Sequence, residues 1–204
     1  MARTRGYDED TVVAAAQDQF WATGYRGTSL DMLLSATGLG KGSLYNSFGS
    51  KRALYLRAFD RYCHDQLAEI AAGLDGPDHK AAARLRRYID TQIGGLGRRR
   101  GQQDVPRGCF IAKAAAEMAA EDPEVAAIAT RALERLGDLL ADCIRAAQRA
   151  GDIDPDRSAR ALGRMLLVAQ RGAEALAEAG VGSAVMKDVA KELTSSVLPE
   201  LSRT

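Results

Sequence analysis

Residues 28–48 read TSLDMLLSATGLGKGSLYNSF, and the punctuation of this stretch decides the fold. Thr28 and Ser29 are N-cap residues ahead of Leu30, Leu33 and Ala36 at three-residue spacing, which predicts a short helix ended by Gly38. Thr37-Gly38-Leu39 is a tight turn that favours a residue without Cβ, and a second short helix follows over 40–48. Two short helices joined in this way make a helix-turn-helix. Leu30, Leu33, Leu39, Leu44 and Phe48 lock the pair onto Phe20 and Tyr25. The outer face of the second helix presents Lys41, Ser43, Asn46 and Ser47. These are small or hydrogen-bonding side chains, suited to reading base edges in a major groove ~12 Å wide.

On the N-terminal side, Asp8 starts a helix with Val12, Val13, Ala16 and Phe20 on one face, which stops at Gly24. On the C-terminal side, Ser50 caps a long helix carrying Leu54, Phe59, Tyr62 and Ile70, which Gly76-Pro77 must end. The remainder continues helical. One helix is expected over 79–96, a loop with Arg98-Arg99-Arg100 and Pro106 over 97–108, and another helix over 109–120. Asp122-Pro123 and Asp154-Pro155 each read as an N-cap followed by proline at the first helical position, with helices ending at Gly151 and Gly180. Ser183 caps a last helix towards Leu201. The expected fold class is all-α, with about nine helices and no strand. An N-terminal three-helix helix-turn-helix domain takes 1–56 and a C-terminal helical bundle takes 57–204.

Composition agrees with that class. Of 204 residues 46% are hydrophobic and only 5% aromatic, with alanine dominant, which favours closely packed helices over β-sandwiches. Lys+Arg 28 against Asp+Glu 27 leaves a net charge of +1, too little for a protein that coats nucleic acid by bulk charge. Around the helix-turn-helix, however, Arg26, Lys41, Lys51, Arg52 and Arg57 stand against Asp31 alone, and Arg3 and Arg5 form a basic arm. Cys63, Cys109 and Cys143 are an odd, widely spaced set with no secretory leader ahead of them, so a reducing cytoplasm is expected. The apolar run 165–169 is far short of the ~20 residues a membrane helix needs.

Three other chemistries fail on sequence grounds. Gly38-x-Gly40-x-Gly42 follows a helix rather than a strand, and Gly42 stands after Lys41 where a P-loop needs serine or threonine, so no nucleotide cofactor is expected. Cys63 and His64 are neighbours about 100° apart on a helix, and no other ligand set has zinc-like spacing, so no metal is expected. With two histidines and no nucleophile elbow or metalloprotease motif, the chain does not read as an enzyme.

Phe20, Gly24-Tyr25, Thr28-Ser29, Ala36 with Gly38, the run 41–45, Phe48, Ser50-Lys51 and Ala53-Leu54 occur in one order over 10–56. In these residues the chain resembles the DNA-binding domain of the TetR/AcrR family of transcriptional regulators. Two positions depart from the family pattern: Gly40 stands where serine is usual, and Ser47 where many relatives have histidine. The resemblance implies double-stranded DNA as partner, a palindromic operator bound by a homodimer, and roles for individual residues. Thr28 and Ser29, with the helix N-terminus, would hold a phosphate; Lys41, Gly42, Ser43, Asn46 and Ser47 would lie at the groove, with Lys41 and Asn46 reading bases; the Tyr45 hydroxyl would reach a phosphate, and Lys51 would clamp the backbone. Beyond residue 60 the resemblance implies a ligand-binding and dimerisation domain. A small, largely apolar effector that relieves repression is expected there, with Tyr62, Tyr88, Gln92, Phe110, Met118 and Met165 as pocket candidates. The alternative is a redox response through Cys109, beside Arg107.

Overall fold

The computed structural model describes residues 7–97 and 108–198. Among them are nine α-helices and no strand: α1 (Glu9–Gly27), α2 (Leu30–Thr37), α3 (Lys41–Phe48), α4 (Lys51–Leu74), α5 (Ala81–Ile89), α6 (Phe110–Met118), α7 (Pro123–Arg149), α8 (Ala159–Glu178) and α9 (Ser183–Val197). A 3-10 turn (Asp78–Lys80) precedes α5 and a π-helical turn (Asp90–Gly94) follows it. The all-α class is as expected. None of the described helices is long and apolar enough to cross a membrane.

The chain makes two compact units. The first takes the described residues of Met1–Asp65 together with Phe110–Thr130; the second takes those of Gln66–Cys109 and Arg131–Thr204. Helix α4 therefore gives 51–65 to the first and 66–74 to the second, and α7 is divided in the same way at 130.

The first unit is locked by buried Phe20, Leu33, Leu44, Leu54 and Tyr55, each fully excluded from solvent. An aromatic network reinforces it: Phe20 meets Tyr55 edge-on at 5.0 Å, and Phe110 meets Phe59 and Tyr62 at 5.4 Å each. Local caps set the turns. The Asp8 carboxylate accepts from the N–H groups of Asp10 and Thr11, and the Ser29 hydroxyl accepts from Met32 N–H at 3.1 Å. The Met32 sulfur completes that capping box by accepting from Ser29 N–H. Gly38 closes α2 at φ 68°, as the turn required.

In the second unit, Ile70, Leu85, Ile89, Leu140, Ile144 and Leu166 form the centre of one apolar core. Three expectations change here. The single helix over 79–96 is broken by the π turn, within which the Thr91 hydroxyl donates to the carbonyls of Arg87 and Tyr88. Asp154-Pro155 does not open a helix. The Asp154 carbonyl takes Arg157 N–H and Gln148 Nε2, forming a turn, and α8 starts at Ala159 behind Ser158, whose hydroxyl accepts from Ala161 N–H. Gly182, not Ser183, is the N-cap of α9, and Leu198 follows its end. Residues 98–107, which include the arginine run, lie outside the described residues, as do Arg3, Arg5 and Leu201.

Candidate nucleic-acid interface

Helix α3 is held by its inner face and offered by its outer one. Leu44 and Phe48 are buried, while Lys41, Gly42, Ser43, Tyr45 and Asn46 are exposed, Tyr45 at 39%. Its N-cap, Gly40, supplies no side-chain oxygen. Ser47 is half-buried and hydrogen-bonded to the Tyr7 hydroxyl, so its own hydroxyl is already engaged. Lys51 begins α4 with Nζ 4.4 Å from the centre of the Tyr25 ring, and its partial burial holds the ammonium below the ordinary lysine range.

Thr28 departs from its expected role. It is 1% exposed, and its hydroxyl donates to Gly24 O at 2.6 Å and pairs with the Thr23 hydroxyl at 2.7 Å. It therefore presents no side-chain donor at the surface; the exposed Ser29 caps α2 beside it.

The basic surround is also smaller than the sequence suggests. Arg26 Nη2 lies 2.6 Å from Glu121, and Arg57 Nη2 lies 3.1 Å from Glu9. Arg52 makes a two-pronged contact with Asp122, Nε to Oδ2 at 2.7 Å and Nη2 to Oδ1 at 2.9 Å, and reaches Glu124 at 3.4 Å. Three of the five cations are thus met by carboxylates. Lys41 and Lys51 remain as the cations of this region without an ion pair among the described residues.

Sequence reasoning missed a set of carboxylates from α6 and the start of α7. Glu117 accepts from Tyr25 N–H at 2.8 Å and from Arg26 N–H at 2.7 Å. Those donors are exposed because α1 kinks at Gly24, φ 74° and ψ 176°, where the helical ladder is interrupted. Asp122 caps α7 through Glu124 and Val125 N–H while gripping Arg52. The Asp122-Pro123 pair announced the cap; its partner 70 residues away left no local signal.

That grip makes the first unit sensitive to acid. The Arg52 hydrogen bonds are the largest cause of a depressed Asp122 pKa. The stabilisation is complete above the unfolded carboxylate pKa of ~4 and is lost as pH falls through the lower folded value. The melting temperature is expected to hold between pH 8 and 5 and to drop below about 4. Asp122→Asn should melt lower at neutral pH and lose less on acidification; an unchanged acid slope in this variant would refute the assignment.

The pocket candidates do not form one set. Tyr62, Phe110 and Met118 belong to the first unit, where Tyr62 and Phe110 are ring partners and all three are buried. Tyr88, Gln92 and Met165 belong to the second unit. There Tyr88 and Gln92 line a cavity of about 160 Å³, and Met165 packs against the apolar core. Tyr88 and Gln92 are joined through buried Gln170. The Tyr88 hydroxyl donates to Gln170 Oε1, and Gln170 Nε2 donates to Gln92 at 3.4 Å and to Glu174 at 3.0 Å. Cys109 is 6% exposed and accepts a hydrogen bond from Arg171 Nη1, and Arg171 also pairs with Glu174 at 2.9 Å. None of the three cysteines is in a disulfide.

The pattern described as "Bacterial regulatory proteins, tetR family" matches residues 12–58, and that described as "Tetracyclin repressor-like, C-terminal domain" matches residues 81–191. YezE of Bacillus subtilis (strain 168), an uncharacterized HTH-type transcriptional regulator, is 32% identical over 167 residues, 81% of this chain and 84% of its own. A TetR transcriptional regulator from Chloroflexus aurantiacus J-10-FL superposes with a TM-score of 0.80 at 25% identity, covering 94% of this chain and 96% of that one. A cysteine mutant of the TetR family regulator CifR, complexed with operator DNA, superposes at 0.76 with 24% identity over 96% of this chain and 99% of that one. The helix-turn-helix and these matches define a DNA-binding transcriptional regulator. The chain belongs to the TetR family.

Proposed function

We propose that the protein is a repressor that grips a palindromic operator as a homodimer through α3 and is released by a small effector held in its second unit. The observation that carries this is the division of α3, with Leu44 and Phe48 buried while Lys41, Ser43, Tyr45 and Asn46 face solvent. Val168, Leu176 and Val185 are 70%, 47% and 46% exposed on α8 and α9. Apolar side chains so exposed are what a second copy would cover, and two-fold symmetry then matches two half-sites. An effector at the C-terminal end of α4 would act on the same helix that begins with Lys51.

Operator fragments selected from the source genome test the reading. Asn46→Ala should flatten preference at one or two base positions, costing ~1 to 3 kcal/mol there. Lys51→Ala should weaken all sequences alike and reduce the salt slope. Reversal of those two phenotypes would reverse the roles, and a monomer that binds no duplex DNA would end the proposal.

A second reading rests on the Arg171 contact with Cys109. Oxidation there would run from the thiolate, which hydrogen peroxide converts to a sulfenic acid with hydroxide leaving. Peroxide titrated against operator-bound wild type and Cys109→Ser separates the two: release confined to oxidised wild type, with no compound acting on the variant, establishes the redox reading.

A further inference from the structure

The cavity between the end of α4 and α5 has an unusual wall. Arg84 is 7% exposed, and its guanidinium meets carbonyls, Nε donating to Leu74 O at 2.7 Å and Nη1 to Pro77 O at 2.8 Å, and the Cys143 thiol, but no carboxylate among the described residues. Arg87 reaches Gly73 O at 2.6 Å. Both line the cavity, and neither makes an ion pair among the described residues. Asp78, which feels the charge of Arg84, is itself paired with Arg149 at 2.7 Å. A buried charge is ordinarily matched by an opposite one, and carbonyl dipoles supply only part of that match.

The remaining lining defines what fits. Ile70 and Leu74 are buried and apolar, and Glu69 is the single carboxylate in the lining, on an exposed residue. Gln92 accepts from Gln170 through its amide oxygen, and among the described residues its amide nitrogen donates to none. Capping α4 accounts for the arginine hydrogen bonds but not for two cations and a spare donor around a void. The π turn that carries Gln92 is a second mark, since such turns recur where a helix is bent to serve a site.

We propose that this cavity is a monocarboxylate site, the place where the effector of the proposed repressor binds. The carboxylate lies against Arg84 and Arg87, Gln92 donates to it, and a short hydrocarbon tail covers Ile70 and Leu74. Two guanidiniums less one carboxylate leave a single positive charge, which selects a monoanion over a dianion. A volume of about 160 Å³ admits a tail of a few carbons.

Titration calorimetry of the full chain with sodium butyrate, at ionic strength held with sodium chloride, tests the site without DNA. Butyrate should bind saturably, succinate at least tenfold more weakly, and butylamine not at all. Arg87→Met, at an exposed position, should weaken butyrate at least tenfold with its melting temperature unchanged, and Gln92→Leu several-fold. Arg84→Lys keeps the charge and should retain more affinity than Arg87→Met. Absence of butyrate binding, equal binding of butylamine, or full affinity in Arg87→Met would overturn the site. Operator binding measured on the same preparation keeps the failures apart: a chain that binds DNA and is released by a different compound loses this site alone, and one that binds no DNA loses the repressor reading alone.

Discussion

Gly24→Ala should cost the first unit about 3 kcal/mol, from backbone strain and disrupted hydrogen bonds together. Two effects add. At φ 74° and ψ 176° the backbone lies in a region that side chains with a Cβ avoid. The new Cβ would also stand 2.7 Å from Glu117 Oε2, pushing away the carboxylate that satisfies Tyr25 and Arg26 N–H. Thermal melts of wild type, Gly24→Ala, Glu117→Ala and the double variant resolve the parts. Glu117→Ala alone should be milder, since Arg26 is exposed and water can replace part of what is lost. In the double variant the collision is gone while the strain and the missing Glu117 hydrogen bonds remain, so the two losses should not add. A Gly24→Ala protein that melts like wild type would show that the kink is not held as described.

Gly163→Val is expected to be at least as damaging, now in the second unit. A Cβ at Gly163 would lie 2.9 Å from Gly137 O and 3.0 Å from Ala141 N, both backbone atoms of α7. A side chain can rotate out of the way of an added methyl; a helix backbone has to translate. Overpacking of side chains costs ~1 to 3 kcal/mol, and a branched residue against main chain should reach or exceed the top of that range. Gly172 serves as the control in the same helix, because nothing lies within 4 Å of its added Cβ. Gly172→Ala should be neutral or stabilising by ~0.5 to 1 kcal/mol. Urea unfolding of both variants is the measurement, and equal midpoints would contradict the close crossing of α7 and α8.

These glycines show what was legible in the sequence. Gly38 could be placed from its neighbours because a turn and the caps around it are settled within four residues. Gly24 was readable as a stop but not as a kink supported by Glu117, since that partner lies 91 to 92 residues away. The same distance problem made Arg26, Arg52 and Arg57 look available. On α3 the 3.6-residue period separates buried Leu44 and Phe48 from exposed Lys41, Ser43 and Asn46, whereas Ser47, expected on the same outer face, is half-buried against Tyr7. The six pocket candidates were chosen by residue type alone, and type does not say in which unit a side chain is packed.

The internally satisfied arginines bear on how the protein finds its target in a cell. Non-specific affinity for DNA grows with each phosphate neutralised, and a genome offers some ~10⁶ or more competing registers. A head whose Arg26, Arg52 and Arg57 are occupied by its own carboxylates has fewer charges to spend on arbitrary sequence. Such a protein dwells only briefly at wrong registers, so a larger share of its molecules stays available to the operator. Fewer copies per cell then suffice to fill one operator, and occupancy depends less on how much DNA surrounds it.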